Sequence, residues 1–137
     1  MFTQINTVGF NDPTLISTFV NFLCKELQIH PKLITVESMH SNVHLETKSL
    51  GLCIDIDTEE FVIMVYEKNR NITEICNTIA HEMIHVRQFL KDNLNHWINT
   101  CWDIPYKKRW WEVEASSSSF DLVKKFTENI KYNGILY

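Results

Sequence analysis

Residues 71–94, NITEICNTIAHEMIHVRQFLKDNL, decide how the rest of the chain is read. Asn71 followed three residues later by Glu74 is a capping box: the Asn side chain accepts from the Glu74 amide while the Glu side chain reaches back, so a helix begins at 72. Ile75, Ile79, Met83, Val86 and Leu90 then recur at helical spacing and share one side, the side that meets a core. A helix over roughly 72–94 follows. His81 and His85 fall on the opposite side, one turn apart, with Glu82 beside them. Two imidazoles so placed can reach one cation, and a tetrahedral zinc site with an open position needs such a pair. A carboxylate next to that cation is placed to take a proton from water and carry it to a leaving amine. H-E-x-x-H is short enough to arise by chance; its position in the middle of a capped amphipathic helix, with both histidines off the core side, is what points to metal.

Upstream, Asp12 is placed as an N-cap with Pro13 at the first helical position, and Leu15, Phe19, Phe22, Leu23 and Leu27 follow at helical spacing, which predicts a helix over roughly 13–28 that stops before Pro31. Residues 33–66 then break into short stretches rich in Val, Ile and aromatics: LITVES, VHLE, LGLCIDID and FVIMVYE. The links TEE and KSLG are of hairpin length, so the sheet is expected to be mostly antiparallel. FVIMVY is apolar on both faces, as in a covered strand or one whose edge is used. Downstream, NHWINTCWDIPYKKR reads as a polar, aromatic loop, and WWEVEASSSSFDLVKKFTENIKYN as a last helix carried by Leu122, Val123, Phe126 and Ile130. The expected fold class is α+β in a single domain, residues 1–137: an N-terminal helix, a three- to four-stranded sheet, the histidine-bearing helix and a C-terminal helix.

A metal held by His81 and His85 needs a third protein ligand. On the last helix Ala115, Ser119, Leu122, Val123, Phe126 and Ile130 define the buried face, and Glu112 projects into the middle of it. A carboxylate there costs several kcal/mol unless it is paired or bound to a cation. Glu114 falls on the other side, among Asp121, Lys125 and Glu128, and reads as a solvated glutamate. Two alternatives stand beside the ligand reading of Glu112: an ion pair with Arg87 or Arg109, or a charge favoured by the helix N-terminus. His96 falls past the helix end, where a loop histidine is the simpler reading.

Composition excludes several classes. A net charge of −4 over 137 residues lacks the basic surface that phosphate backbones need, and Lys107-Lys108-Arg109 is too short a run to supply it, so no nucleic-acid contact is expected. Cys24, Cys53, Cys76 and Cys101 form no C-x-x-C pair, which fits reduced thiols. With no stretch of about 18 apolar residues and no secretory pattern at the start, a cytoplasmic protein without membrane contact is expected.

With His81-Glu82-x-x-His85 on one helix and Glu112-Val113-Glu114-Ala115 opening the next, the chain resembles the gluzincin-type zinc metallopeptidases, among them the small ImmA/IrrE-like members. There the third ligand is the first Glu of an E-x-x-A-[D/N] pattern. EVEAS places Glu112 at that position and departs at Ser116. The wording HEMIHVRQ and PYKKRWWEVEA is also similar to small SprT-like proteins of phages and bacteria. The resemblance covers roughly residues 60–130. It excludes the metzincin class, since Lys91 stands where that class has its third histidine. It implies a minimal zincin fold holding Zn2+ through His81, His85 and Glu112, with Glu82 as general base. It also implies a peptide or protein substrate bound in extended form along an edge strand; FVIMVY is the candidate for a strand near the cleft, and which strand is the edge stays open. Tyr106, His96 and Tyr132 are candidates for stabilising an oxyanion, Tyr106 being carried forward as the catalytic partner of Glu82. Two other readings remain at this point. One is a deformylase-like hydrolase using Cys53 as a ligand. The other is a non-catalytic zincin-fold binding or regulatory module that uses the NGILY tail and the aromatics Trp97, Trp102, Tyr106, Trp110 and Trp111.

Overall fold

The computed structural model describes residues 2–39, 50–101 and 103–132, with the backbone alone at 131 and 132. The stretch VHLE, Trp102, the Tyr132 side chain and the NGILY tail lie outside the described residues. In chain order the elements are β1 (Gln4–Val8), α1 (Pro13–Leu27), β2 (Leu33–Met39), β3 (Gly51–Asp57), β4 (Glu60–Tyr66), α2 (Ile72–Lys91), α3 (Leu94–Cys101), a single 3-10 turn (Tyr106–Lys108) and α4 (Trp110–Tyr132). The class is α+β, as the composition of elements in the sequence predicts.

The helix ends follow local chemistry. Asp12 accepts from the Leu15 amide at 3.0 Å and opens α1. Gln28 closes it in the left-handed region, with φ 55, its amide reaching the Cys24 and Lys25 carbonyls. At α2 both halves of the capping box form: Asn71 Oδ1 accepts from the Glu74 amide at 2.9 Å, and Glu74 Oε1 accepts from the Asn71 amide at 3.1 Å. The helix ends at Lys91, earlier than expected. Asn93 turns the chain with φ 54, and the segment read as a loop begins instead with the short helix α3, anchored by the buried Leu94.

The sheet corrects the expectation of mostly antiparallel pairing. Its strand order is β1-β2-β4-β3. β1 pairs with β2 and β2 with β4 in parallel, and only β3 and β4 form an antiparallel pair, through the TEE hairpin. The cause is β1, QINTV, whose alternating polar residues give no apolar run and which the sequence reading passed over. Once β1 is counted, α1 becomes the crossover of a β-α-β unit, and such crossovers join parallel strands. β4, which carries FVIMVY, is an interior strand between β2 and β3, the covered-strand alternative of the two that its apolar faces allowed. Among the described residues, the edge on that side is β3.

One face of the sheet builds the core. Ile34 and Val36 of β2 and Phe61, Ile63 and Val65 of β4 form one core with Phe19 and Leu23 of α1, Ile79, Met83 and Val86 of α2, and Ala115, Val123 and Phe126 of α4. Full burial of each such side chain stabilises the fold by about 1.5–3 kcal/mol. Leu52, Ile54 and Ile56 alternate onto the exposed face of β3. No described helix is long and apolar enough to cross a membrane.

Candidate metal centre

α2 and α4 pack along each other, and this contact brings the first turn of α4 to the histidine side of α2. The α4 turn is tied down by Arg109, whose carbonyl accepts from the Glu112 and Val113 amides at 3.0 Å each. Glu112 Oε1 then lies 3.1 Å from His81 Nε2 and 3.1 Å from His85 Nε2. These three side chains are the one group of at least three His, Cys, Asp or Glu among the described residues whose donor atoms all lie within 4.8 Å of one another. Ligand atoms bonded to a tetrahedral ion at about 2.1 Å stand about 3.4 Å apart. The two separations from Glu112 Oε1 are close to this, all three donor atoms lie within 4.8 Å of one another, and the donor types are those zinc takes. The group is sheltered, with side-chain exposures of 18%, 8% and 13% for His81, His85 and Glu112.

Electrostatics couple the three groups. Burial would raise the Glu112 carboxyl, but hydrogen bonds from His81 and His85, the charge of His85 and the Tyr106 hydroxyl outweigh it and hold the group well below the usual carboxylate range. Burial would lower the His85 imidazole, and the Glu112 hydrogen bond and charge overturn that, raising it above its ordinary value. Glu112 is therefore an anion at any ordinary pH, the state a cation requires. Tyr106 donates to Glu112 Oε1 at 2.8 Å. Burial and the neighbouring carboxylates push its phenol far up, so it stays a proton donor.

Glu82 lies on the same helix between the histidines and β3, with 7% of its surface exposed. Burial raises its carboxyl, only partly offset by His85 and His81. Its place depends on Gly51: a Cβ there would stand 2.5 Å from Thr78 Cγ2 and 3.2 Å from Glu82 Oε2. The missing side chain lets β3 come this close to α2. A cleft of about 210 Å³ opens over the group, with Gly51, Leu52 and Cys53 of β3 on one wall and Phe89, Leu94, Ile98 and Trp111 on the other. Asn95 of α3 donates to Asp55 of β3 at 2.9 Å and joins the two walls beyond Cys53.

The structure thus brings together His81, Glu82, His85, Tyr106 and Glu112. His96 stays out: it is exposed on α3 with its ring edge-on to Trp97. Cys53 lines the cleft but is not among the converging donors, and burial together with the Glu82 charge keeps its thiol protonated. Arg87 pairs with Glu114 at 2.9 Å, which corrects the expectation of Arg87 as a partner for Glu112, while the Glu114 side chain keeps 38% of its surface in solvent. Glu114 also accepts from Gln88 Nε2 at 2.8 Å. Gln88 is a residue that sequence reasoning missed. The signal was available: it stands three residues after His85, a spacing that puts both on one side of a helix. Searches with this chain against family models, curated proteins and solved structures find no match.

Proposed function

We propose that this chain is a zinc-dependent peptidase of the gluzincin type, with His81, His85 and Glu112 as the residues that hold the metal. The observation that carries this reading is the convergence of three zinc-type donors on one point, with a buried carboxyl, Glu82, beside them in an open cleft. When bound, zinc supplies Lewis-acid activation of water and of a peptide carbonyl. The chain's own groups do the rest. Glu82, its basicity raised by burial, takes the proton of the attacking water and passes it to the leaving amine. Tyr106, whose single O–H donates to Glu112 Oε1 in the resting site, turns from that partner to donate to the oxygen on which negative charge develops. β3, the sheet edge that lines the cleft, offers its backbone to an extended peptide or protein segment, and the wall of Phe89, Leu94, Ile98 and Trp111 suits an apolar side chain next to the scissile bond. Four free cysteines fit a reducing compartment, so the proposal places the protein in the cytoplasm.

Metal analysis of the purified protein together with Glu82→Gln tests the reading. About one zinc per chain is expected in both proteins, with hydrolysis of a degenerate peptide library lower by about 10²- to 10⁴-fold in the variant. A wild type that takes up no zinc, or a variant that cleaves as fast as wild type, would overturn it. Zinc uptake with no cleavage in either protein would reduce the chain to a metal-holding binding module.

A further inference from the structure

Gln88 has no exposed surface, and every part of its amide is engaged. Its Oε1 lies 2.7 Å from His85 Nδ1. Its Nε2 donates to the Trp111 carbonyl at 3.0 Å and to Glu114 Oε1 at 2.8 Å. An amide has two N–H donors and one acceptor oxygen, and here the two acceptors on one side and the ring nitrogen on the other use all of them. The reverse orientation would set the amide oxygen against a carbonyl and a carboxylate, acceptor against acceptor. Only one orientation satisfies the network, and in it His85 Nδ1 must carry the proton and donate to Gln88. The ring nitrogen left facing Glu112 and His81 is Nε2.

The same amide links the two helices that make the site. Trp111 immediately precedes Glu112, so the bond to its carbonyl fixes the first turn of α4 against α2 where the third ligand leaves the backbone. Arg87 closes the far side of the network by its ion pair with Glu114. Position 116, where the E-x-x-A-[D/N] pattern has Asp or Asn, is an exposed serine here.

We infer that Gln88 is a positioning residue for the metal site: it holds His85 with Nδ1 protonated and Nε2 aimed at the ion, and it sets the Glu112 turn in register with the two histidines. This rests on the metal reading proposed above. An outer partner of this kind on a ligating histidine fixes ring orientation and raises ligand basicity, and its loss lowers metal affinity about 10- to 100-fold.

Two variants separate positioning from packing. Gln88→Met keeps the length of the side chain and loses both functions of the amide. The pair Gln88→Glu with Glu114→Gln keeps an acceptor for His85 Nδ1 and returns a donor from position 114, while the bond to the Trp111 carbonyl is lost in both proteins. Zinc affinity, measured by competition against a chromophoric chelator, is expected to fall about 10- to 100-fold in Gln88→Met and by clearly less in the pair, which keeps the His85 partner but not the Trp111 bond. Both proteins lose thermal stability without metal, so stability alone would not sort them. Solvent exchange of the His85 Nδ1 proton, followed by nitrogen-15 NMR of the ring, is expected to be slow in wild type and fast in Gln88→Met. Equal loss of zinc affinity in the two variants would overturn the inference, as would wild-type affinity in Gln88→Met. So would a His85 ring without a proton on Nδ1 in the metal-free wild type. A wild type that takes up no zinc would sink the metal reading, and the NMR result would still decide whether Gln88 orients His85.

Discussion

α2 has two sides that are buried equally and held by different physics. Ile75, Ile79, Met83 and Val86 meet the sheet and α1, while Thr78, Glu82, His85 and Gln88 meet β3 and α4; none of the eight exposes more than 7% of its surface. On the apolar side the energy comes from area removed from water and has no direction. On the polar side each hydrogen bond contributes only about 0.5–1.5 kcal/mol net, yet a partner removed leaves a buried group whose desolvation is uncompensated. The apolar side determines that α2 docks. The polar side determines at which angle and register it does so, and a metal site depends on the second.

The comparison breaks most sharply at Met83, fully buried on the apolar side. Met83→Ala is expected to lower the unfolding free energy by about 2–5 kcal/mol, and Met83→Leu by less than about 1.5 kcal/mol, in urea titrations. Zinc affinity of the folded fraction should match wild type in both. If Met83→Ala weakened zinc binding as strongly as a change at Gln88, the two sides would not be separable.

Cys76 sharpens the apolar side by pH. Burial pushes its thiol up to about 12, against 9.0 for an unperturbed thiol. The native thiol thus resists losing a proton that the unfolded chain releases near pH 9. Stability from this group is full below pH 9 and declines as pH rises toward 12. At pH 11 the loss amounts to about 2–3 kcal/mol. The Cys76→Ala protein should therefore show a shallower alkaline decline than wild type, read as the difference between their unfolding free energies at pH 8 and pH 11. Parallel curves would show that Cys76 is not held in apolar surroundings.

The smallest effect on stability is expected at Gly51, on the polar side. Gly51→Ala adds one methyl against Thr78 and Glu82. A cost of about 1–3 kcal/mol is expected from that overpacking, and Glu82 must shift, so peptide hydrolysis should fall further than stability would suggest. Unchanged turnover in Gly51→Ala would mean that the approach of β3 to Glu82 does not matter to the site.

How much of this was legible in the sequence divides along the same line. Apolar periodicity and caps are local signals, and they gave α1, the start of α2 and nearly all of α4. His81, Glu82 and His85 were legible because their spacing is local too, and Glu112 because a carboxylate in an apolar stripe is anomalous on its own helix. β1 was not, since QINTV has no apolar run and becomes a strand only through its pairing with β2; the parallel direction of the sheet was lost with it. The roles of Gln88 and Glu114 were hidden for a different reason. Whether Glu114 reaches the amide of Gln88 is decided by how α4 slides along α2, and neither helix records that register by itself.

The separation of the donors along the chain has a consequence for synthesis. A ribosome makes the sheet strands and both histidines before Trp110 appears, and domains tend to fold as their residues emerge. Until α4 docks, α2 carries two imidazoles with no carboxylate opposite them and an amide, Gln88, with no carbonyl to hold. The three donors therefore come together only with the first turn of α4, and if they hold zinc as proposed, a nascent chain would retain it only once that helix has closed onto the rest.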